Sequence, residues 1–195
     1  MPRWSPDAAL RLEAAALDSF EEHGFTDTTV PQIAARAGLT TRTFFRHFAD
    51  KRDSLFLRDR EFPQAVRDFL RSVPAESTPV ATVQLGLASA CRGVQGWRPQ
   101  IARRQAIIRS EPALQERDLL RSHRLGLAIE QSLVERDVAQ PQAHTLAAIA
   151  VTCFDLAIAR WLDEPPDTDL EENLLAVWDD VRAVMEEGAG DGRGR

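Results

Sequence analysis

Between Thr28 and Ala49 the chain has no Asp or Glu but carries Arg36, Arg42 and Arg46, in a protein of formal net charge −6. A surface that meets the phosphates of nucleic acid needs cations and repels carboxylates, so this window fits a DNA-contacting segment. Up to residue 60 nine Lys or Arg stand against nine Asp or Glu; beyond it 15 stand against 21. The acidity therefore belongs entirely to the later part, which argues against DNA contact there. The residues of catalysis are dispersed. His23, His47, His123 and His144 are scattered. There is no Gly-rich phosphate loop, no nucleophile elbow, and no His, Cys or acid cluster at metal-ligand spacing. Neither an enzyme nor a metal or cofactor is expected. Cys91 and Cys153 each lie in an apolar helical context and read as reduced core residues of a cytosolic protein, with redox sensing the lesser alternative.

The window is built to present those arginines. Thr29, with Gln32 three residues on, is a capping-box start for a short helix, and Pro31 falls in its first turn. Ile33, Ala34 and Ala37 give it one apolar face, and Ala34 is small where two helices must cross. Gly38 stops it, as a residue free to take positive φ. Thr40 caps a second helix from Thr41 to about Phe48. Phe44 and Phe48 fall on one inward face, and Thr41, Arg42, Phe45 and Arg46 on others. Two short helices about a Gly turn make a helix-turn-helix. An αα-hairpin that is merely basic would carry the same charges; the cap, turn, Phe pair and acid-free window together favour a DNA-reading head.

The segment from about Leu12 to Leu55 resembles the N-terminal domain of the TetR (tetracycline-repressor) family of bacterial transcriptional regulators. The carrying positions are Phe20, Gly24-Phe25, Thr29-Val30, Ile33-Ala34, Ala37-Gly38, Thr43, His47-Phe48 and Lys51. The resemblance covers about a quarter of the chain. It implies DNA contacts by Thr29, Thr40, Thr41, Arg42, Thr43, Phe45, Arg46, His47 and Lys51, with Lys51 on a phosphate. The family usually has Tyr at the position of Phe45, and Phe45 cannot donate to a phosphate.

The fold expected is all-α, with about nine helices: a three-helix helix-turn-helix domain over residues 1–50, a helical ligand-binding and dimerisation bundle over 51–187, and a disordered tail over 188–195. Ser5-Pro6 would start the first helix, which runs to about His23 and ends at Gly24. Arg3 and Arg11 are in reach of a DNA backbone but fit solvated arginines better. Asp50-Lys51 is expected to begin a helix that Pro63 kinks or breaks. Beyond the loop Pro74–Pro79, helices are expected over about 80–94, 98–109, 112–136, from Pro141 to a stop at Asp163-Glu164-Pro165-Pro166, and over 170–187. No apolar run is read as reaching membrane-spanning length, and no signal peptide is found.

The later helices match the ligand-binding and dimer domain that the resemblance implies. Residues that could line a pocket are Phe62, Phe69, Leu87, Trp97, Ile101, Ile108, Leu127 and Phe154, with Gln105, Arg109 and His123 to orient a ligand. Arg103, Arg104 and Arg109 form a basic cluster whose plainer reading is a solvated face paired with Glu111 or Glu116. The last two helices have more apolar surface than one subunit needs. Ile149, Cys153, Ala157, Trp161, Leu174, Trp178, Val181 and Met185 are the expected homodimer interface. The resulting reading is a cytoplasmic regulator that binds double-stranded operator DNA as a dimer, with no membrane partner. A small-molecule effector, lipophilic or anionic, would release it. Resemblance of TRTFFRHF and IIRSEPALQERDL to actinobacterial regulators of this type adds acyl-coenzyme A thioesters as one effector class. A ligand-independent DNA-binding protein is the alternative.

Overall fold

A computed structural model describes residues 7–60 and 62–191, with side chains described for 8–59 and 63–187. The expected Ser5-Pro6 helix start and Arg3 lie outside the described residues, as does the end of the tail at 192–195. Among the described residues the chain is helical throughout, without strands. Its helices are α1 (Asp7–His23), α2 (Val30–Arg36), α3 (Thr41–His47), α4 (Phe62–Ser72), α5 (Pro79–Val94), α6 (Arg98–Ser110), α7 (Pro112–Val134), α8 (Gln140–Asp163) and α9 (Leu170–Asp191). Helix α9 thus runs past residue 187, into the segment expected to be a disordered tail.

Two compact units form. The first takes the chain up to Phe62 together with Pro99–Arg121; the second takes Pro63–Arg98 and the chain from Ser122 onward. This differs from a division at residue 50. The reason lies in α6, whose Ile107 and Ile108 are buried in the same apolar cluster as Leu12, Phe20, Ile33, Phe44, Phe48 and Phe56. Leu114, from the first turn of α7, is fully buried there too.

The helix expected from Asp50 does not form as one rod. Residues Arg52–Phe56 and Arg58–Arg60 are tight 3₁₀ turns, and α4 begins only at Phe62. Pro63 explains the break: it has no N–H to give and its ring clashes with the preceding turn, so a helix tolerates it only in the first turn.

In the second unit α8 packs along α9, and both pack against α5. Trp161 is fully buried and its Nε1 donates to the Thr168 carbonyl at 2.8 Å. Arg98 closes the end of α8: its guanidinium donates to the carbonyls of Trp161, Glu164 and Pro165, and lies over the Trp161 ring. Arg136 does the same for α4, donating to the carbonyls of Leu70, Val73 and Pro74. Both answer the unsatisfied carbonyls that every helix C-terminus presents.

Contrary to the sequence reading, α8 is by length and composition alone apolar enough to cross a bilayer, with a mean hydropathy of 1.6 over its most apolar window. Here it buries Ala143, Leu146, Ala147, Ala150, Cys153, Ala157, Ile158 and Trp161 within the unit, and 33% of that window is buried.

Candidate nucleic-acid interface

The helix-turn-helix forms as its residues dictate. Thr29 takes extended backbone and caps α2, and Gln32 Oε1 accepts from the Thr29 N–H at 2.7 Å, completing the capping box. Gly38 has φ +64°, the left-handed conformation the turn requires. A Cβ there would meet the Arg11 guanidinium at 3.0 Å. That guanidinium donates to the Ala37 carbonyl, so Arg11 holds the turn of the head rather than standing solvated. Thr40 caps α3 by accepting from the Thr43 N–H at 3.1 Å. Phe44 and Phe48 are buried with ring centroids 5.3 Å apart.

Helix α3 therefore turns Thr41, Arg42, Phe45 and Arg46 outward; all four are exposed. Thr40 and Thr29 are exposed but their hydroxyls are engaged in caps, and Thr43 Oγ1 lies 3.1 Å from Thr40 Oγ1. Thr43 and His47 are half-buried at the flank of α3. Arg36, the third cation of the acid-free window, is bound by α1: it donates to Glu22 at 2.6 Å, and Asp18 lies 3.6 Å away. Its hydrogen bond holds the Glu22 carboxyl below the usual range.

Lys51 is placed differently from a phosphate ligand on the outward face. Its Nζ donates to the carbonyls of Phe25 at 2.6 Å, Thr26 at 3.1 Å and Thr28 at 2.9 Å, and lies 4.4 Å from the Phe25 ring centroid. An ammonium has three donors; all three tie the loop between α1 and α2.

The Arg cluster of α6 also has partners other than those read from sequence. Arg103 grips Asp18 and Glu21 of α1 at 2.6 Å, not Glu111 or Glu116. Arg104 lies 3.4 Å from both Asp59 and Asp118, and 4.8 Å from the Phe56 centroid. Burial raises the Asp59 and Glu13 carboxyls and lowers Arg104. Sequence spacing carried no signal for these pairs, because each joins residues far apart in the chain.

The expected ligand residues do not converge in one unit. Ile101, Gln105, Ile108 and Arg109 belong to the first; Phe69, Leu87, Trp97, His123, Leu127 and Phe154 to the second. Ile108 and Leu87 are core, Phe69, Ile101, Gln105 and Phe154 are half-buried, and Trp97, Arg109, His123 and Leu127 are exposed. The Phe62 side chain lies outside the described residues. A cleft of about 340 Å³ in the second unit is lined by other residues, among them Ser77, Thr82, Leu133, Arg136, Asp137 and Gln142.

The expected interface residues divide likewise. Cys153, Ala157 and Trp161 are fully buried within a single chain and Leu174 nearly so, which corrects their assignment: they are the subunit's own core. Ile149, Trp178 and Val181 are half-buried and Met185 is 65% exposed. Leu156, Leu175 and Val184 are also exposed, and the sequence reading did not name them. Both cysteines are buried, and burial pushes the Cys91 thiol up to about 12, which removes the thiolate that redox sensing needs. Among the described residues no group of His, Cys, Asp or Glu is placed to hold a metal ion.

Comparison with known proteins agrees with this head. Residues 12–57 match the model for bacterial regulatory proteins of the tetR family. Over 40 residues the chain is 50% identical to the mycofactocin biosynthesis transcriptional regulator MftR of Mycobacterium tuberculosis, a match spanning 20% of this chain and 20% of that relative. Among solved structures, the complex of SmeT with triclosan is similar at TM-score 0.64 and 19% identity, covering 91% of this chain and 90% of that one. SmeT is the repressor of the Stenotrophomonas maltophilia multidrug efflux pump SmeDEF. FadR of Bacillus subtilis in complex with stearoyl-CoA is similar at TM-score 0.57 and 17% identity, covering 87% of this chain and 95% of that one. At such identity the likeness is one of fold.

Proposed function

We propose that this chain, a member of the tetR family of bacterial regulatory proteins, is a cytoplasmic regulator that binds operator DNA as a dimer and is released by a small molecule. The observation that carries this reading is the outward face of α3. Thr41, Arg42, Phe45 and Arg46 stand exposed on a capped helix-turn-helix whose window from Thr28 to Ala49 has no carboxylate. A second, reading helix so disposed suits the major groove. Arg42 and Arg46 supply donors for guanine edges or phosphates, and Thr41 and Phe45 supply apolar contact. The head is the DNA-binding domain, and α5, α8 and α9 form the body of the dimerisation domain.

Two half-sites need two heads held at a fixed spacing, which a two-fold dimer provides. The exposed Leu156, Leu175, Val184 and Met185, with half-buried Ile149, Trp178 and Val181, support a second copy on α8 and α9. The effector is lipophilic or anionic. Stearoyl-CoA in the FadR complex and triclosan in the SmeT complex are lipophilic ligands held by the same fold, and Phe69 and Phe154 are large half-buried aromatics suited to such a guest.

Selection of duplexes from a random library by the full chain tests the reading. Enrichment of a two-fold symmetric site is expected; failure to enrich any sequence overturns it. Stearoyl-CoA and triclosan are the first effector probes. A ligand-independent DNA-binding protein would bind the selected duplex equally in their presence and show no thermal shift with either them or a wider lipophilic panel.

A further inference from the structure

Resting on that reading, we infer that Phe45 is a specificity-determining residue that selects a thymine through its 5-methyl group. Among the described side chains of the first unit the exposed large hydrophobics are Leu10, Phe45, Leu119 and Leu120, and Phe45, at 58% exposure, is the aromatic one of these four. Nothing in the chain's own core needs this ring. Phe44 and Phe48, on the inward face, already fill the space between α3 and the other helices and are fully buried. A single exposed ring is common on protein surfaces; what marks this one is its place, on the outward face of α3 beside exposed Thr41, Arg42 and Arg46.

The ring is also held in place. Its centroid lies 5.6 Å from that of Phe44 at an interplanar angle of 83°, an edge-to-face contact with a buried neighbour. Thr41 is one turn before it on the same face, and Arg42 and Arg46 form the adjoining row. Cations on that row draw the phosphates and base edges of a duplex against the helix, which brings the ring to the groove. Phe45 offers no donor or acceptor, so it cannot read the hydrogen-bonding edge of any base. The apolar group that the major groove displays is the thymine methyl, and an aromatic or aliphatic side chain is its complement. Arg42 then reads or anchors by charge, and Phe45 adds selection for a T·A pair beside it.

The DNA is changed first, and the protein second. A duplex selected by the wild-type chain from a random library is resynthesised with each thymine in turn replaced by deoxyuridine, which keeps every hydrogen bond and removes one methyl. At one thymine per half-site the wild-type affinity should fall about fourfold, the effect of burying one methylene-sized group. Phe45→Ala should bind the thymine and deoxyuridine duplexes equally, while Phe45→Leu should keep part of the preference. Circular dichroism confirms that the variants stay folded. The inference is overturned if no deoxyuridine substitution weakens wild-type binding, or if the same loss persists in Phe45→Ala. Weaker binding of Phe45→Ala without any methyl dependence would assign the ring to the sugar-phosphate backbone, and also overturns it. If the library yields no enriched duplex at all, it is the DNA-binding reading that fails, and this inference with it.

Discussion

Lys51 Nζ donates to the carbonyl oxygen of Phe25 at 2.6 Å, and the same ammonium reaches the carbonyls of Thr26 and Thr28. One cation thereby satisfies three acceptors of the loop that carries the chain from α1 into α2. Hydrogen bonds to a charged group contribute about 1.5–3 kcal/mol when buried, and less at a half-exposed site such as this one.

Lys51→Met should therefore lower the thermal midpoint by several degrees, about 4–8 °C per kcal/mol for a domain of this head's size. It should leave the salt dependence of duplex binding unchanged. A phosphate contact would behave in the opposite way, reducing the slope of log affinity against log salt by about 0.9 with little change in melting. A flattened slope at unchanged stability would return Lys51 to the phosphates.

The arginines of the acid-free window should separate. Arg42→Ala is expected to weaken the selected duplex by about 1–3 kcal/mol. Arg36→Ala should alter DNA affinity far less, because its guanidinium is held by Glu22 and Asp18. Competition titrations with one labelled duplex measure both. Equal losses would show that Arg36 leaves its carboxylates to meet DNA.

Burial raises the Glu13 carboxyl above its ordinary value, more than Arg58 and Arg104 lower it. The folded state then holds this proton more tightly than the unfolded chain does. The resulting stability is fully present below the unfolded pKa and is lost as pH rises through the folded one. Glu13→Gln should accordingly melt higher than wild type near neutral pH, and the gap should close toward about pH 4, near the unperturbed value. A variant that melts lower at neutral pH would mean that Arg58 and Arg104 outweigh burial.

On α9, Leu175 is 56% exposed and Val184 70% exposed in a single chain. A charge at either site is harmless to a monomer but would be buried without a partner between two copies. Leu175→Glu/Val184→Glu should keep the helical spectrum and melt normally at low concentration, yet appear as a monomer by light scattering at micromolar concentration. Persistence of the dimer would place the interface elsewhere. Trp161→Glu should instead unfold the second unit, since Trp161 is fully buried within it.

The head was legible in the sequence because its determinants are local. Thr29 and Gln32, Gly38, Thr40 and the Phe44–Phe48 pair each act within one turn of helix, and each took its expected place. What joins α6 to the head was not legible. Arg103 finds Asp18 and Glu21 across more than 80 residues of chain, and Ile107 and Ile108 look the same in sequence whether they line a pocket or fill a core. The faces of α8 are ambiguous in sequence for a related reason. An Ala-rich helix apolar on several sides does not reveal which side meets α5 and α9, so Cys153, Ala157 and Trp161 look the same in sequence whether they face a second copy or, as here, the core. Pro63 was recognised as a breaker, but the 3₁₀ turns before α4 had no separate signal.

The outward face of α3 is the surface proposed to read duplex DNA. Titration of the full chain with a selected duplex and with a scrambled duplex of the same composition, at one physiological salt concentration, measures whether it does. The selected duplex should bind at least about a thousandfold more tightly, and Arg42→Ala combined with Phe45→Ala should remove most of that difference while leaving the weak, salt-sensitive binding to the scrambled one. Equal affinity of the wild-type chain for both duplexes would show that α3 reads no sequence.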